Sequence, residues 1–501
     1  MGAKNIKITF VELGCLVIEM DGKIIGEIRV KQPKMTQLIL ASAIRHELIK
    51  QGIKTTVEIL DLKLDSKPHK KFYRKINYCG NVLDVGVLES EDEYIKNRTK
   101  DTDFICISAN LTQEANIFKK TVKKIKKISR ARIMVGGSDA SLRPEWYISN
   151  GADYVVIGEG EDRLAKLISS ISFRRDISDI DGIAYKKNKE IVLQKISPHK
   201  FVDLNHLCPI DFALVDLKKY NESYEGPLPE GVNPPLMFFE SSRGCNHNCP
   251  NCTIPTVKGK YRRMSIQTIK KWLDHYKNSG MTTLLLMEDN LLTRLTLHNG
   301  KTELFEFFNY LRANGFAWEF PNGIEIGYLV RNNVIDKELM RLIFNHEKMA
   351  GKFIGCYRAY IPLETFDPAL KLNYPKLPDT ETTFDLLKSI IKTKIPFLTF
   401  GVMIFGLENN ATIEKMYEFN DKIRTYSGSF GIKISWDIFS SMPIIGTPFY
   451  DQLKRSKSLV FSVKKYPELY NFYFCVFNSK KTSYKNIFSL VNKLGRELNE
   501  T

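Results

Sequence analysis

Apolar positions change period repeatedly along the first two hundred residues. Short β-branched runs at residues 7–11, 56–62, 103–108, 131–135 and 153–157 predict strands, and Ile183 onward predicts a hairpin turning at Lys187-Asn188-Lys189. Between them, helical spacing predicts helices over 36–50, 114–128 and 162–169. Thr36 caps the first, and Ile117, Phe118, Val122 and Ile125 share one face of the second. Strand and helix in alternation predict a doubly wound, Rossmann-like parallel sheet with its ligand loops at the carboxyl edge.

Periodicity fades over 197–233, where Pro198, Pro209, Pro227 and Pro229 punctuate a linker. A second series then begins, with strands at 236–240, 283–287, 316–320, 353–362, 397–405 and 433–440. Helices are predicted at 265–279, where Ser265 is the cap, and at 302–313, 334–344, 382–393 and 413–426. This α/β pattern predicts a partial (β/α)6 TIM-type barrel with its chemistry at the strands' C-terminal ends. The organisation read from the chain is a domain over 1–196, a linker over 197–233, a barrel over 234–450 and a C-terminal extension over 451–501.

A length of 501 residues suits about three domains. With 43% hydrophobic and 26% charged residues, the composition excludes wholesale disorder, collagen and coiled coil. No run of about 20 apolar residues predicts a membrane span. The segment Met1-Gly2-Ala3-Lys4-Asn5-Ile6 lacks a secretory apolar region, and Ile6 stands where myristoylation wants Ser or Thr. A reduced, cytoplasmic setting is expected, in which nine cysteines argue for metal ligands or buried thiols. The formal charge of +17 would suit an anionic partner, but the lysines are scattered and densest only at 119–127. A solvated surface explains them, and neither nucleic acid nor membrane is expected as a partner.

One constellation dominates: Cys245-Asn246-His247-Asn248-Cys249-Pro250-Asn251-Cys252, directly after the first barrel strand. Three thiolates on one short loop can hold three irons of a [4Fe-4S] cluster and leave the fourth open for a ligand. Structural zinc is the competing reading, although His247, between two cysteines, is poorly placed to join them on one ion.

These residues resemble the radical S-adenosylmethionine (SAM) enzymes, whose signature is Cys-x3-Cys-x2-Cys in that loop. The resemblance spans about 234–450 and implies Cys245, Cys249 and Cys252 as cluster ligands. It implies Glu288, Asp289 and Asn290 at the methionine amino group and Asn322 and Glu364 near ribose and carboxylate. It also sets Ile404 and Gly406 against adenine, and Pro443-Ile444-Ile445-Gly446-Thr447-Pro448 resembles the family's ending of the sixth strand. Two departures stand out. Asn251 replaces the usual aromatic before the last cysteine, and Glu288-Asp289 replaces a Gly-Gly-Glu-Pro motif.

In the N-terminal domain, Gly136-Gly137-Ser138 and Gly158-Glu159-Gly160-Glu161 follow successive strands. They resemble the cobalamin-binding domain of cobalamin-dependent radical SAM enzymes, with Ser108, Asn110 and Thr112 on the same edge. Glycine there would let backbone approach a bulky ligand. The Asp-x-His-x-x-Gly loop of His-ligating cobalamin proteins is missing; Asp65-Ser66-Lys67-Pro68-His69 has the wrong spacing. An insert over 12–33, with a hairpin at Asp21-Gly22, follows the first strand where cobalamin's lower face would lie. A weaker resemblance, through Cys15, Cys79 and Cys106, is to methylthiotransferases that carry a second cluster.

The resemblance implies reductive cleavage of SAM, a one-electron donor such as flavodoxin or ferredoxin, and a small-molecule or peptide substrate. Methylation of an unactivated carbon is the leading expectation. A radical cyclase, dehydratase or rearrangement enzyme using the first domain as scaffold is the alternative, and a non-catalytic metal- or nucleic-acid-binding protein a lesser one. The sequence identifies no catalytic side chain beyond the cofactor contacts.

Overall fold

Five parallel strands of the first half hydrogen-bond in the order Thr55–Asp61, Ile6–Glu12, Phe104–Ser108, Arg132–Gly136, Tyr154–Val156. The hairpin Ile183–Lys187 and Glu190–Leu193 extends the last edge, turning through Asn188 and Lys189 in left-handed conformation. The structure, a computed structural model, describes residues 5–27, 34–64, 68–197, 201–222, 227–332 and 334–500. Residues 28–33 of the insert, Asp65 to Lys67 and Met1 to Lys4 thus lie outside the described residues.

Strand alternation builds one core on each face of this sheet. Ile8, Phe10, Cys106 and Met134 pack with helices Met35–Lys50 and Glu161–Ser172. Ile105, Ile107, Ile133 and Val135 pack with Ala115–Ile128 instead. Burial on both faces is why these strands read as continuous apolar runs. Thr36 is not the expected cap. The first helix starts at Met35, and Lys34, extended and without a capping side chain, opens it through its carbonyl.

The hairpin at Asp21-Gly22 is present, and it belongs to a larger unit. Strands Lys23–Glu27, Cys15–Met20, Asn81–Glu89 and His69–Tyr78 form a four-stranded antiparallel sheet in that order. The last two were not anticipated. Their turn is Cys79-Gly80, where Cys79 adopts a φ of 52° without being glycine.

The second half is a seven-stranded sheet, with six parallel strands in sequential order, Leu236–Phe239, Thr283–Leu286, Ala317–Phe320, Lys352–Glu364, Phe397–Ile404 and Lys433–Ser440, and His346–Met349 antiparallel to the fourth. The first and last strands do not pair, so the barrel is open. Helices Ile266–Asn278, Gly300–Ala313, Lys337–Phe344, Thr380–Ile391 and Asn410–Gly428 follow strands one to five in turn. Ser265 caps the first of them at Thr268 N, as expected. The helix expected over 334–344 is shorter, because Asp336 caps it at Leu339 N and Val334–Ile335 pairs with Val330–Arg331. Residues beyond 450 tie the halves together. Ile487, Leu494 and Leu498 of helix Tyr484–Glu500 enter the barrel core, while Phe461, Tyr470 and Phe474 enter the core around Tyr78.

Candidate functional site

The cysteine loop is closed by a two-residue ribbon, Ser242–Arg243 paired with Arg262–Arg263. Gly244 has a φ of 84°, and a β-carbon there would lie 2.3 Å from the Lys260 carbonyl oxygen. That close approach requires glycine. Cys252 N donates to Cys249 O at 3.0 Å, giving the loop its second turn. Burial pushes the Cys249 thiol up to about 12 and raises Cys252. Cys245 is near enough to both for its charge to add to the effect.

Among the described residues, no three His, Cys, Asp or Glu side chains converge as a single-ion site requires. A polynuclear cluster needs no such point, because each thiolate binds its own iron. The surroundings suit one. Cys249 packs with Tyr374, Met403 and Phe405, an apolar wall that limits water. The half-buried Lys376 lies close enough to Cys249 for each to shift the other.

Glu288 and Asp289 reach the barrel mouth, but with their carboxylates engaged. Glu288 is 1% exposed and accepts from Ser241 N and Ser241 Oγ, each at 2.7 Å, and from Ser242 Oγ. Burial raises its carboxyl to about 7. Asp289 accepts from Gly244 N at 2.8 Å and pairs with Lys258 at 2.9 Å, bracing the cysteine loop. Asn290 faces the loop most directly. Its Nδ2 lies 3.7 Å from Cys245 Sγ and 2.5 Å from Glu325, while its buried Oδ1 has no hydrogen-bond partner among the described residues.

Glu325, buried and also bonded to His247 at 2.9 Å, is a site residue that the sequence reading missed. The available signal was its position just past Asn322-Gly323 at the end of the third strand. Asn322 Nδ2 donates to the Glu288 carbonyl at 3.2 Å. Glu364, in left-handed conformation at φ 65°, pairs with Lys376. At position 251 the missing aromatic has a counterpart: Tyr374 donates its hydroxyl to Asn251 Oδ1 at 3.0 Å. Ile404 is fully buried and its carbonyl accepts from Ser441 N. A β-carbon on Gly406 would meet Ile487 at 2.5 Å, so the C-terminal helix covers that side of it.

A cavity opens between the carboxyl edge of the N-terminal sheet and the cysteine loop. Ser108, Asn110, Gly136, Gly137, Ser138, Gly158 and Glu159 line one side, and Arg243, Val257 and Lys258 the other. Phe10, Cys106, Met134 and Val156 form an apolar depth, and the buried Gln37 presents an unpartnered Oε1. Thr112 is not part of this lining; its hydroxyl bonds Asp139 at 2.6 Å. Gly137 is needed by the protein itself, since a β-carbon would meet Asn110 Oδ1 at 2.4 Å and Ala109 O at 2.6 Å. At Gly136 a β-carbon would meet only Val156 O, at 3.6 Å, so there the absent side chain leaves open space. Open space, an apolar depth and an orphaned amide oxygen fit a large, partly apolar, polar-edged ligand such as cobalamin. No histidine is among the lining residues.

Buried charges bridge the cavity's two sides. Glu159 pairs with Arg262 at 2.6 Å and Arg243 at 3.4 Å and accepts from Val202 N at 2.8 Å, and the arginines hold its carboxyl below the usual range. Arg243 also binds Glu161 and Glu240. The cysteines of the second-cluster reading are dispersed: Cys15 and Cys106 are buried within strands and Cys79 occupies a turn.

Comparison with known proteins agrees with this geometry. Residues 79–168 match the B12 binding domain and 239–419 the radical SAM superfamily. An anaerobic magnesium-protoporphyrin IX monomethyl ester cyclase of Synechocystis is 34% identical over 141 residues, 28% of this chain and 26% of the relative. An uncharacterized methyltransferase of Pyrococcus horikoshii is 25% identical over 334 residues, 64% and 65% of the two chains. Methylthiotransferases also match at similar identity. The chain thus spans less than two thirds of the length of these relatives. Among solved structures, the cobalamin-dependent SAM radical enzyme OxsB, with aqua-cobalamin and SAM bound, shares the fold. Its TM-score is 0.69 at 14% identity, over 98% of this chain and 66% of that one.

Proposed function

We propose, from the premise that this chain belongs to the radical SAM superfamily and carries a B12 binding domain, that it is a C-methylating enzyme. Its cofactors are a [4Fe-4S] cluster, SAM and cobalamin, and its substrate is a small molecule or peptide with an unactivated carbon. When bound, these groups supply one-electron cleavage chemistry and a methyl carrier.

The chain's own residues hold, orient and enclose them. Cys245, Cys249 and Cys252 would hold the cluster, and Asp289 keeps their loop in place through Gly244. Asn290 sets its Nδ2 beside Cys245, and its buried Oδ1, unpartnered among the described residues, would accept from an amino group held there. Glu325, itself bonded to His247, accepts from that Nδ2 and fixes the amide. Tyr374, Met403 and Phe405 exclude water from that point. Ser108, Gly136 and Ser138 would cradle cobalamin. An external one-electron donor of the flavodoxin or ferredoxin kind completes the scheme.

The single observation that carries this reading is the shared cavity. Its lining includes both the glycine edge of the first domain and Arg243, two residues before Cys245. A methyl carrier held in that space would be lined on one side by Arg243, Val257 and Lys258 of the cysteine loop and its neck. Anaerobic reconstitution should give about four irons per chain and 5′-deoxyadenosine from SAM, and C249A should lose both. Methyl-labelled SAM should then put its label into the substrate. The similarity to a cyclase over 141 residues favours a second reading, with the first domain as scaffold. Formation of 5′-deoxyadenosine with an unlabelled, rearranged product would select it.

A further inference from the structure

Strand register sorts the barrel's side chains into rungs. Leu398, Phe400 and Trp436 point outward into the helix-covered core. The alternate positions therefore face the lumen. Met403 and Phe439 are register partners on that inner face, and both pack in the cluster that includes Cys249. One inward-facing rung lower, about 7 Å along the strands, Gly401 pairs with Asp437. The rung beneath holds Tyr360, Thr399 and Ser435, with Thr399 and Ser435 hydroxyls 2.9 Å apart.

Gly401 is bare for a reason. A β-carbon there would coincide with the Tyr360 hydroxyl at 1.7 Å, so that ring lies across it towards Asp437; burial, and after it the charge of Asp437, raises the Tyr360 phenol. Of the other charges on this face, Arg358 pairs with Glu319 at 3.3 Å and Glu364 with Lys376, while the exposed Lys433, two rungs below Asp437, lies over the Phe397 ring at 5.7 Å. Asp437, among the described residues, has no cation. Water reaches it, yet enough protein surrounds it to raise its carboxyl by desolvation alone.

A water-accessible carboxylate with no cation, beside a phenol and with the apolar Met403 and Phe439 one rung above it, is a site for a cation with an apolar body. We propose that Asp437, with Tyr360 beside it, is the specificity-determining anchor for a protonated amine of the substrate. This rests on the reading of the barrel mouth as the reaction site, and it narrows the substrate class to amine-bearing molecules with an apolar portion.

The test uses anaerobically reconstituted protein with SAM, and two probes of one shape, phenethylamine and 2-phenylethanol, in calorimetric titration. The amine should bind about tenfold more tightly than the alcohol, and D437N should erase that preference, with D437E restoring part of it. Melting temperature and iron content, measured on the same samples, show that the variants are folded and loaded. Equal binding of both probes, binding of neither, or an unchanged preference in D437N would overturn the proposal. Loss of iron or of 5′-deoxyadenosine formation in the unmodified protein would count against the cofactor reading instead, independently of the amine result.

Discussion

Glu288 shows how a residue at the expected place takes a different task. Its carboxylate ties the end of the first strand to the end of the second, across 47 positions of sequence. Burial raises it from an ordinary 4.5 to about 7. Between those values the folded chain holds a proton that the unfolded chain has released. The resulting stability is full below about pH 4.5 and lost as pH rises through 7, by roughly 3 kcal/mol. Gln cannot titrate, but its carbonyl can still accept from Ser241. Chemical denaturation across that range should therefore show a flatter stability profile for E288Q than for the unmodified protein, whereas parallel profiles would remove Glu288 as the titrating group. Gly136 and Gly137 divide similarly. Ala at 137 would collide with Asn110 and Ala109, so its effect would report on the loop. G136V adds bulk beside the cavity, with only Val156 O at 3.6 Å from the new β-carbon. It should lower cobalamin retained after gel filtration at least about tenfold and leave iron content unchanged, since about 1.4 kcal/mol of lost contact suffices.

Among the elements, the parallel strands and most helices were legible because each carries one strong period. Residues 433–440 were read as the strand Lys433–Ser440 that the structure contains. The hairpin of His69–Tyr78 and Asn81–Glu89 was not read. Its outer face alternates lysine and aromatic residues, and its turn begins with Cys79 in place of the Asn, Asp or Gly that marks such turns. The cysteine loop was legible from spacing alone, and its supports were not. Glu325, Lys376 and Tyr374 come to it from 73 to 131 residues away, by folding that no local pattern records. The ribbon at the loop's neck offers a test of that support. G244A places a β-carbon 2.3 Å from the Lys260 carbonyl, in a conformation at φ 84° that alanine adopts at a cost of about 1–3 kcal/mol. Iron bound on reconstitution should fall well below that of the unmodified protein, with far-ultraviolet circular dichroism unchanged. Full iron loading would show that the neck does not set the loop.

At the scale of the whole molecule, one buried charged contact between the two halves lies beside the chemistry. Glu159, Glu161 and Glu240 surround Arg243, and Arg262 closes on Glu159 from the other strand of the ribbon. The guanidinium of Arg243 is almost wholly buried, so its charge survives only because three carboxylates answer it. Away from the chemistry the contact is apolar through Leu142 under Gly446 and the aromatic group around Tyr78, and polar at the buried Glu468, which accepts from Tyr73 and Asn116 and pairs with Arg74 at 3.4 Å. E159A would strip one carboxylate from Arg243 and the main partner from Arg262, at a cost of about 3 kcal/mol. The backbone of Glu159 lines the cavity, and Arg243 leads into Cys245. The variant should consequently weaken cobalamin retention and iron retention together, unlike G136V, which should affect cobalamin alone. A cycle of E159A, R262A and the double variant would read the pair directly, with a coupling of about 1–3 kcal/mol expected in thermal or denaturant unfolding. Additive effects, or iron retention untouched in E159A, would mean that the clasp holds the domains in contact without setting the cysteine loop.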